Sequence, residues 1–286
     1  MMASTFSGLN RHPEPSGPMI KLSSSDPFGR SLSKPSLPSS EPSKKESLRQ
    51  AQAERIEGTD TYSDQRDALQ TYFDRTARDT WAQLTSDAPV SRIRATVRAG
   101  RDRMRAVLLG WLPADLRRAR LLDAGCGTGA FAVEAARRGC AVTAIDVAAG
   151  LVQIARDRTP AFLGHGAIHW RSGDMLDPAL GRFDHVVAMD SLIHYTAADI
   201  AAAVAALATR TQRSMLFTFA PSSPALTAMH RVGLLFPRGD RAPAIQPVRE
   251  AELRDRLSAL SGWRVARTER VTSGFYTSQA LELVRE

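Results

Sequence analysis

DAGCGTG, residues 123–129, closes a short apolar run and opens a helical pattern, and that succession of strand, glycine loop and helix decides the fold. Glycines at 125, 127 and 129 let the backbone turn tightly and let a ligand approach without a Cβ in the way. The amide N–H groups where the helix starts favour an anionic group such as a carboxylate or phosphate. Alone, the loop leaves two readings open, because Gly125, Gly127 and Ala130 also satisfy the GxGxxG/A dinucleotide pattern. Asp146, 21 positions after Gly125 at the end of the next apolar run, suits ribose hydroxyls in either case, so NAD competes at this point.

Outward from the loop, short apolar runs alternate with helical patterns, which predicts βα units in a parallel sheet covered on both faces. Strands are expected near 120–125, 141–146, 168–173, 184–190 and 214–220, with helices at about 129–138, 147–157 and 197–208. Two last runs, 263–271 and 275–284, are separated by Thr272, Ser273 and Gly274. That gap is too short for a crossover helix, so the two should pair antiparallel. No internal repeat is visible.

Two acidic positions favour one reading of the loop. Asp123 precedes the glycines, where it would repel a pyrophosphate but suits an ammonium group. The third strand runs into Gly173, Asp174 and Met175, where a carboxylate can accept from an adenine amino group while Met175 packs on the ring. An adenosine with an amino-acid tail answers both. Here the chain resembles the class I S-adenosylmethionine-dependent methyltransferases over about 117–286. The resemblance implies an α/β, Rossmann-like seven-stranded sheet with the last strand antiparallel. It implies S-adenosylmethionine as co-substrate, held by Asp123, Gly125, Cys126, Gly127, Gly129, Asp146, Asp174, Met175 and Asp190. A loop that only turns the chain, with the acids as caps, is the plainer alternative.

The rest of the chain carries the acceptor. Leu69, Phe73, Ala77, Trp81 and Leu84 recur at helical spacing, predicting a helix over about 62–84. After Pro89 a second apolar stripe, Ile93 to Trp111, runs beside Arg94, Arg98, Arg101 and Arg105. Residues 61–116 thus read as a helical cap, and 221–248 as a lid mixing apolar residues with Arg231, Arg238 and Arg241. Ligands of open parallel sheets bind at the carboxyl ends of strands, where VVAMDSLIHY (186–195) places Asp190, His194 and Tyr195.

Four stretches resemble the magnesium-protoporphyrin IX O-methyltransferases of chlorophyll and bacteriochlorophyll synthesis: YFDRTARDTWAQLTSDAPVSRIRATVRAGRDRM (72–104), LLDAGCGTGAFAVEAARRG (121–139), MDSLIHY (189–195) and SGFYTSQALELVR (273–285). The resemblance implies methylation of one propionate of magnesium protoporphyrin IX, giving the 13-monomethyl ester. His194 becomes the catalytic-site histidine, and Trp81, Thr85, Arg94, Arg98, Tyr195, Phe275 and Tyr276 the substrate-binding candidates. Thr85 departs from chlorophyll-making relatives, which carry a tyrosine there. A propionate is already ionised at neutral pH, so His194 is expected to position it rather than act as an obligatory base. Further expected partners are the porphyrin-binding subunit of magnesium chelatase and a peripheral membrane surface, in a cytoplasmic protein.

Plainer readings stand beside these. Tyr195 could cap a strand edge, His194 could be a core residue satisfied by Ser191 or Thr196, and the arginine stripe could be a solvated face whose stems cover apolar surface. His165 and His169 read as surface or packing residues. The net charge of +8 and a pI near 10.1 permit an RNA methyltransferase. Against it, the fourth strand lacks an NPPY-like or Pro-Cys acceptor motif and no RNA-binding module is attached, so no nucleic-acid partner is expected. A non-catalytic S-adenosylmethionine- or porphyrin-binding protein is the third class.

Bulk features set the outer limits. Residues 1–50 hold 13 Ser and 7 Pro, and 1–60 reads as a disordered tail. A Ser-rich transit peptide is disfavoured by Glu14, Asp26, Glu41, Glu46 and the prolines, and no apolar h-region suggests a secretory signal. The longest apolar run, Ile200 to Ala208, falls short of the roughly 20 residues of a membrane span. Cys126 and Cys140 lack metal-ligand neighbours, so a reduced compartment and no protein-bound metal are expected.

Overall fold

The computed structural model describes residues 61–74, 85, 92–222 and 244–286. Helix α1 covers 61–74 and α2 Arg92–Trp111. Then follow β1 Arg120–Ala124, α3 Ala130–Arg137, β2 Ala141–Asp146, α4 Ala149–Asp157 and β3 Ala167–Ser172. The chain continues with β4 Phe183–Ala188, α5 Ala197–Ala208, β5 Thr211–Phe219, α6 Glu250–Ser258, β6 Trp263–Ser273 and β7 Tyr276–Arg285.

All seven strands form one sheet in the order β3-β2-β1-β4-β5-β7-β6. Neighbours from β3 to β5 run parallel, and β7 is antiparallel to both β5 and β6. The expected strands and helices each lie within a few residues of an observed element. Helix α6 had no expected counterpart: only Leu253 and Leu257 of it are buried, too sparse a stripe to show as a helical period. The tail at 1–60 lies outside the described residues, as do 75–84 of the first expected helix and 223–243 of the lid.

Side-chain alternation along the central strands fills both faces of the sheet. Leu122, Val186 and Met215 pack toward α5 and α6, while Leu121, Val187 and Leu216 pack toward α2 and α3. Leu108 of α2 is fully buried in the second layer, where truncation to Ala would cost about 2–5 kcal/mol. Thr196 starts α5 with a capping box, its hydroxyl accepting from the Asp199 amide while the Asp199 carboxylate turns back to the cap.

Helix α1 crosses the carboxyl-terminal side of the sheet on polar tethers. The Thr61 hydroxyl donates to Asp199 at 2.5 Å. Tyr62 and Arg66 donate to Asp174 in the loop after β3, each at 2.9 Å. Asp74 accepts from the Gly150 amide at the start of α4 at 3.2 Å. Helix α2 instead seats on the β6–β7 hairpin: a Cβ added to Gly100 would lie 2.5 Å from Cδ1 of Tyr276, so only glycine lets the helix approach that ring.

Candidate active site

A cavity of about 290 Å³ opens where the carboxyl ends of β1, β2, β3 and β4 meet α1 and α2. On one side lies the glycine loop. Gly125, Gly127 and Gly129 have φ of 81°, 52° and 83°, and a Cβ on Gly125 would stand 2.3 Å from the Ser191 Cβ. The loop therefore packs directly against the chain leaving β4. Asp146 braces it, accepting from the Gly127 amide at 2.8 Å through one oxygen and from the Ala148 amide at 2.9 Å through the other. Each oxygen keeps a second lone pair for a ligand.

Asp123 is buried, and its Oδ2 lacks a hydrogen-bond partner among the described residues. Burial and then the neighbouring Asp146 charge push its carboxyl up to about 7, against a backbone hydrogen bond from Ala132. Cys126 lines the same wall, its thiol held well above the ordinary range by burial. It is a packed thiol rather than a nucleophile.

Of the two residues expected to meet adenine, the cavity receives Met175 but not the Asp174 side chain. Asp174 accepts instead from Tyr62, Arg66 and the Leu176 amide. Arg210, a residue the sequence did not single out, donates to the carbonyls of Met175 and Asp177 and so holds this loop in place. Tyr62 was also missed. It stacks on Tyr195 with ring centroids 5.0 Å apart, and both line the cavity.

The opposite side is formed by the end of β4 and by α2. His194 is 8% exposed and its Nδ1 lies 3.3 Å from the Ala244 carbonyl. A carbonyl only accepts, so Nδ1 donates in this contact. The Gln246 amide also bonds the Ile193 carbonyl at 2.9 Å, so the returning end of the 221–248 segment rests on the LIHY stretch. Asp190 lines the cavity with its carboxylate engaged by Tyr276 and Arg101. Ser191 points a buried Oγ with no hydrogen-bond partner among the described residues.

Arg98, Arg101 and Arg105 contribute to the cavity lining and lie at helical spacing on one face of α2, whereas Arg94 is exposed and does not line it. Thr85 is in the lining, and Arg158 donates to its hydroxyl at 3.1 Å. Phe275, 63% exposed at the hairpin turn, and Tyr276 lie outside the lining, and Trp81 falls outside the described residues. His165 and His169 are exposed near and on β3.

The residues present fit S-adenosylmethionine. Asp123 offers an unpartnered carboxylate oxygen for an ammonium, Asp146 spare lone pairs for hydroxyls, and Met175 an apolar surface for a base. The three loop glycines keep the backbone low enough for close approach. Among the described residues no group of three or more His, Cys, Asp or Glu could hold a metal ion, and no helix is long and apolar enough to cross a membrane.

The chain is similar to known proteins in both sequence and fold. The model of the magnesium-protoporphyrin IX methyltransferase C-terminus matches residues 188–285, and a general methyltransferase domain matches 121–213. A magnesium-protoporphyrin O-methyltransferase of Rhodobacter capsulatus is 48% identical over 77% of this chain and 97% of its own length. The crystal structure of magnesium protoporphyrin IX methyltransferase from Synechocystis PCC 6803 with bound SAH is similar at 29% identity and a TM-score of 0.68, covering 76% of this chain and 98% of that one. The same enzyme with bound SAM gives 26% and 0.66, over 78% and 97%.

Proposed function

This chain belongs to the magnesium-protoporphyrin O-methyltransferases, and we propose that its cavity joins S-adenosylmethionine to one propionate of magnesium protoporphyrin IX. It is an S-adenosylmethionine-dependent methyltransferase. The observation that carries the reading of the site is one cavity with two unlike walls, a glycine loop with buried acids on one and a histidine with three arginines on the other.

S-adenosylmethionine supplies an electrophilic methyl on a sulfonium, and no metal or redox step is required of the protein. Asp123 receives the ammonium end, Asp146 the ribose hydroxyls and Met175 the adenine face. Gly125, Cys126, Gly127 and Gly129 supply the close backbone, and Asp174 acts at one remove by anchoring Tyr62 and Arg66 over the base.

On the acceptor wall, Arg98 and Arg105 offer charge to propionates, while Tyr62 and Tyr195 give flat apolar surface to a macrocycle. His194 positions the reacting carboxylate. The Nδ1 contact to the Ala244 carbonyl fixes the ring's orientation for that task. Holding that oxygen in line with the donor methyl supplies most of the acceleration.

The helical cap of 61–116, the core of 117–286 and the lid of 221–248 divide this work. The hairpin turn at Gly274 abuts Thr96, and near it in the chain lie the exposed Phe275 on the hairpin and, on α2, the exposed Ile93 between basic Arg92 and Arg94. This surface suits delivery of the porphyrin by an anionic membrane face or by the porphyrin-binding subunit of magnesium chelatase, in the cytoplasm.

Incubation with methyl-labelled S-adenosylmethionine and magnesium protoporphyrin IX should yield the labelled monomethyl ester. Label found only in RNA, or in no product, would overturn the proposal.

A further inference from the structure

Asp190 has a φ of 55°, a left-handed conformation shared with only one other non-glycine among the described residues. Such a backbone persists where the surroundings over-determine it, and here four side chains do so. Thr218 Oγ1 accepts from the Asp190 amide at 2.7 Å and lies 3.3 Å from Oδ1. The Tyr276 hydroxyl donates to Oδ1 at 3.0 Å, and Ser278 Oγ is 3.5 Å away. A guanidinium nitrogen of Arg101 pairs with Oδ2 at 3.3 Å, outside hydrogen-bond alignment.

These partners come from α2, β5 and β7, and Asp190 itself lies two residues past the end of β4. Burial and the charge of Asp190 push the Tyr276 phenol upward, so it remains a donor. Gly100, next to Arg101, is the place where α2 touches the Tyr276 ring. The same contact brings Arg98 and Arg105 to the cavity, on the face that carries Arg101. On the other side, Ser191 follows Asp190 against Gly125, and His194 lies four residues on.

We propose that Asp190 is a positioning residue, one member of a buried clamp with Arg101, Tyr276 and Thr218 that registers the arginine face of α2 against the end of β4 without binding the methyl donor. The expectation of a cofactor role fits less well, because Oδ1 accepts from Tyr276 and Oδ2, though without a hydrogen bond, is ion-paired with Arg101, whereas no ion pair to Asp123 is seen among the described residues. The clamp acts on the acceptor wall and in that respect rests on the methyl-transfer reading above.

The test compares the full chain with Asp190→Asn, Arg101→Met and the double variant. SAH affinity is measured by calorimetry and magnesium protoporphyrin IX affinity by titration of its Soret band. Asp190→Asn keeps an oxygen for Tyr276 but removes the charge facing Arg101. Porphyrin binding should weaken about tenfold and SAH binding stay within about twofold, with the two substitutions clearly non-additive. Tyr276→Phe, which removes a single donor, should move porphyrin binding the same way by less, and serves if the charge variants misfold. SAH affinity falling in step, additive effects or unchanged porphyrin affinity would overturn the clamp. A wild-type chain that binds SAH but no porphyrin would overturn the acceptor reading instead, and coupling of the two substitutions in melting temperature would still report the clamp.

Discussion

On the donor wall of the cavity the polar groups come from two short stretches, 123–129 and 146–150, where two carboxylates flank a glycine loop that brings the backbone close. On the acceptor wall they come from Arg101 of α2 and from Asp190 and His194 after β4, joined through tertiary packing that includes Tyr276 behind the wall. A wall made by backbone depends on the absence of side chains at a few glycines. A wall made by side chains depends on mutual support, so single changes there should weaken ligand binding less and be coupled.

The largest expected effect is at Gly125. Valine there meets a φ of 81° and a Ser191 Cβ at 2.3 Å. The combined strain and overpacking should weaken SAH binding on the order of 100-fold, with a lower melting temperature. Calorimetry showing affinity within a few-fold of wild type would break the contrast between the walls.

A smaller effect, with a definite sign, concerns Asp123. Its carboxyl is pushed from the ordinary 3.8 up to about 7, so the fold tolerates the neutral form. That stability is fully present below about pH 4 and is lost as the pH rises through about 7. An ammonium ligand makes the opposite demand, and SAH should bind about tenfold tighter at pH 8 than at pH 6. Asp123→Asn should flatten this profile and raise the melting temperature at pH 8. A flat wild-type profile would remove Asp123 from the ammonium site.

The same contrast explains what the sequence revealed. Strands β1, β2 and β4 are runs such as LLDA and VVAMD whose burial is local in pattern, and the glycines carry their meaning in their spacing. Antiparallel β6 and β7 followed from the brevity of the turn at Gly274. Other features depend on partners distant in the chain. Asp174 turns to Tyr62 and Arg66, more than a hundred positions earlier. Asp190 adopts a positive φ that no local signal marks, and Arg210 acts by reaching two carbonyls across the fold. The basic stripe of α2 was visible as a stripe, yet only packing on Tyr276 separates Arg98, Arg101 and Arg105, which line the cavity, from Arg94, which does not.

His194 tests most directly the division between a wall that holds the donor and a wall that aims the acceptor. Steady-state turnover of His194→Ala with magnesium protoporphyrin IX should fall about 100-fold through lost positioning, while calorimetry gives an SAH affinity within about twofold of wild type. Unchanged turnover, or SAH affinity lost in proportion to turnover, would contradict it.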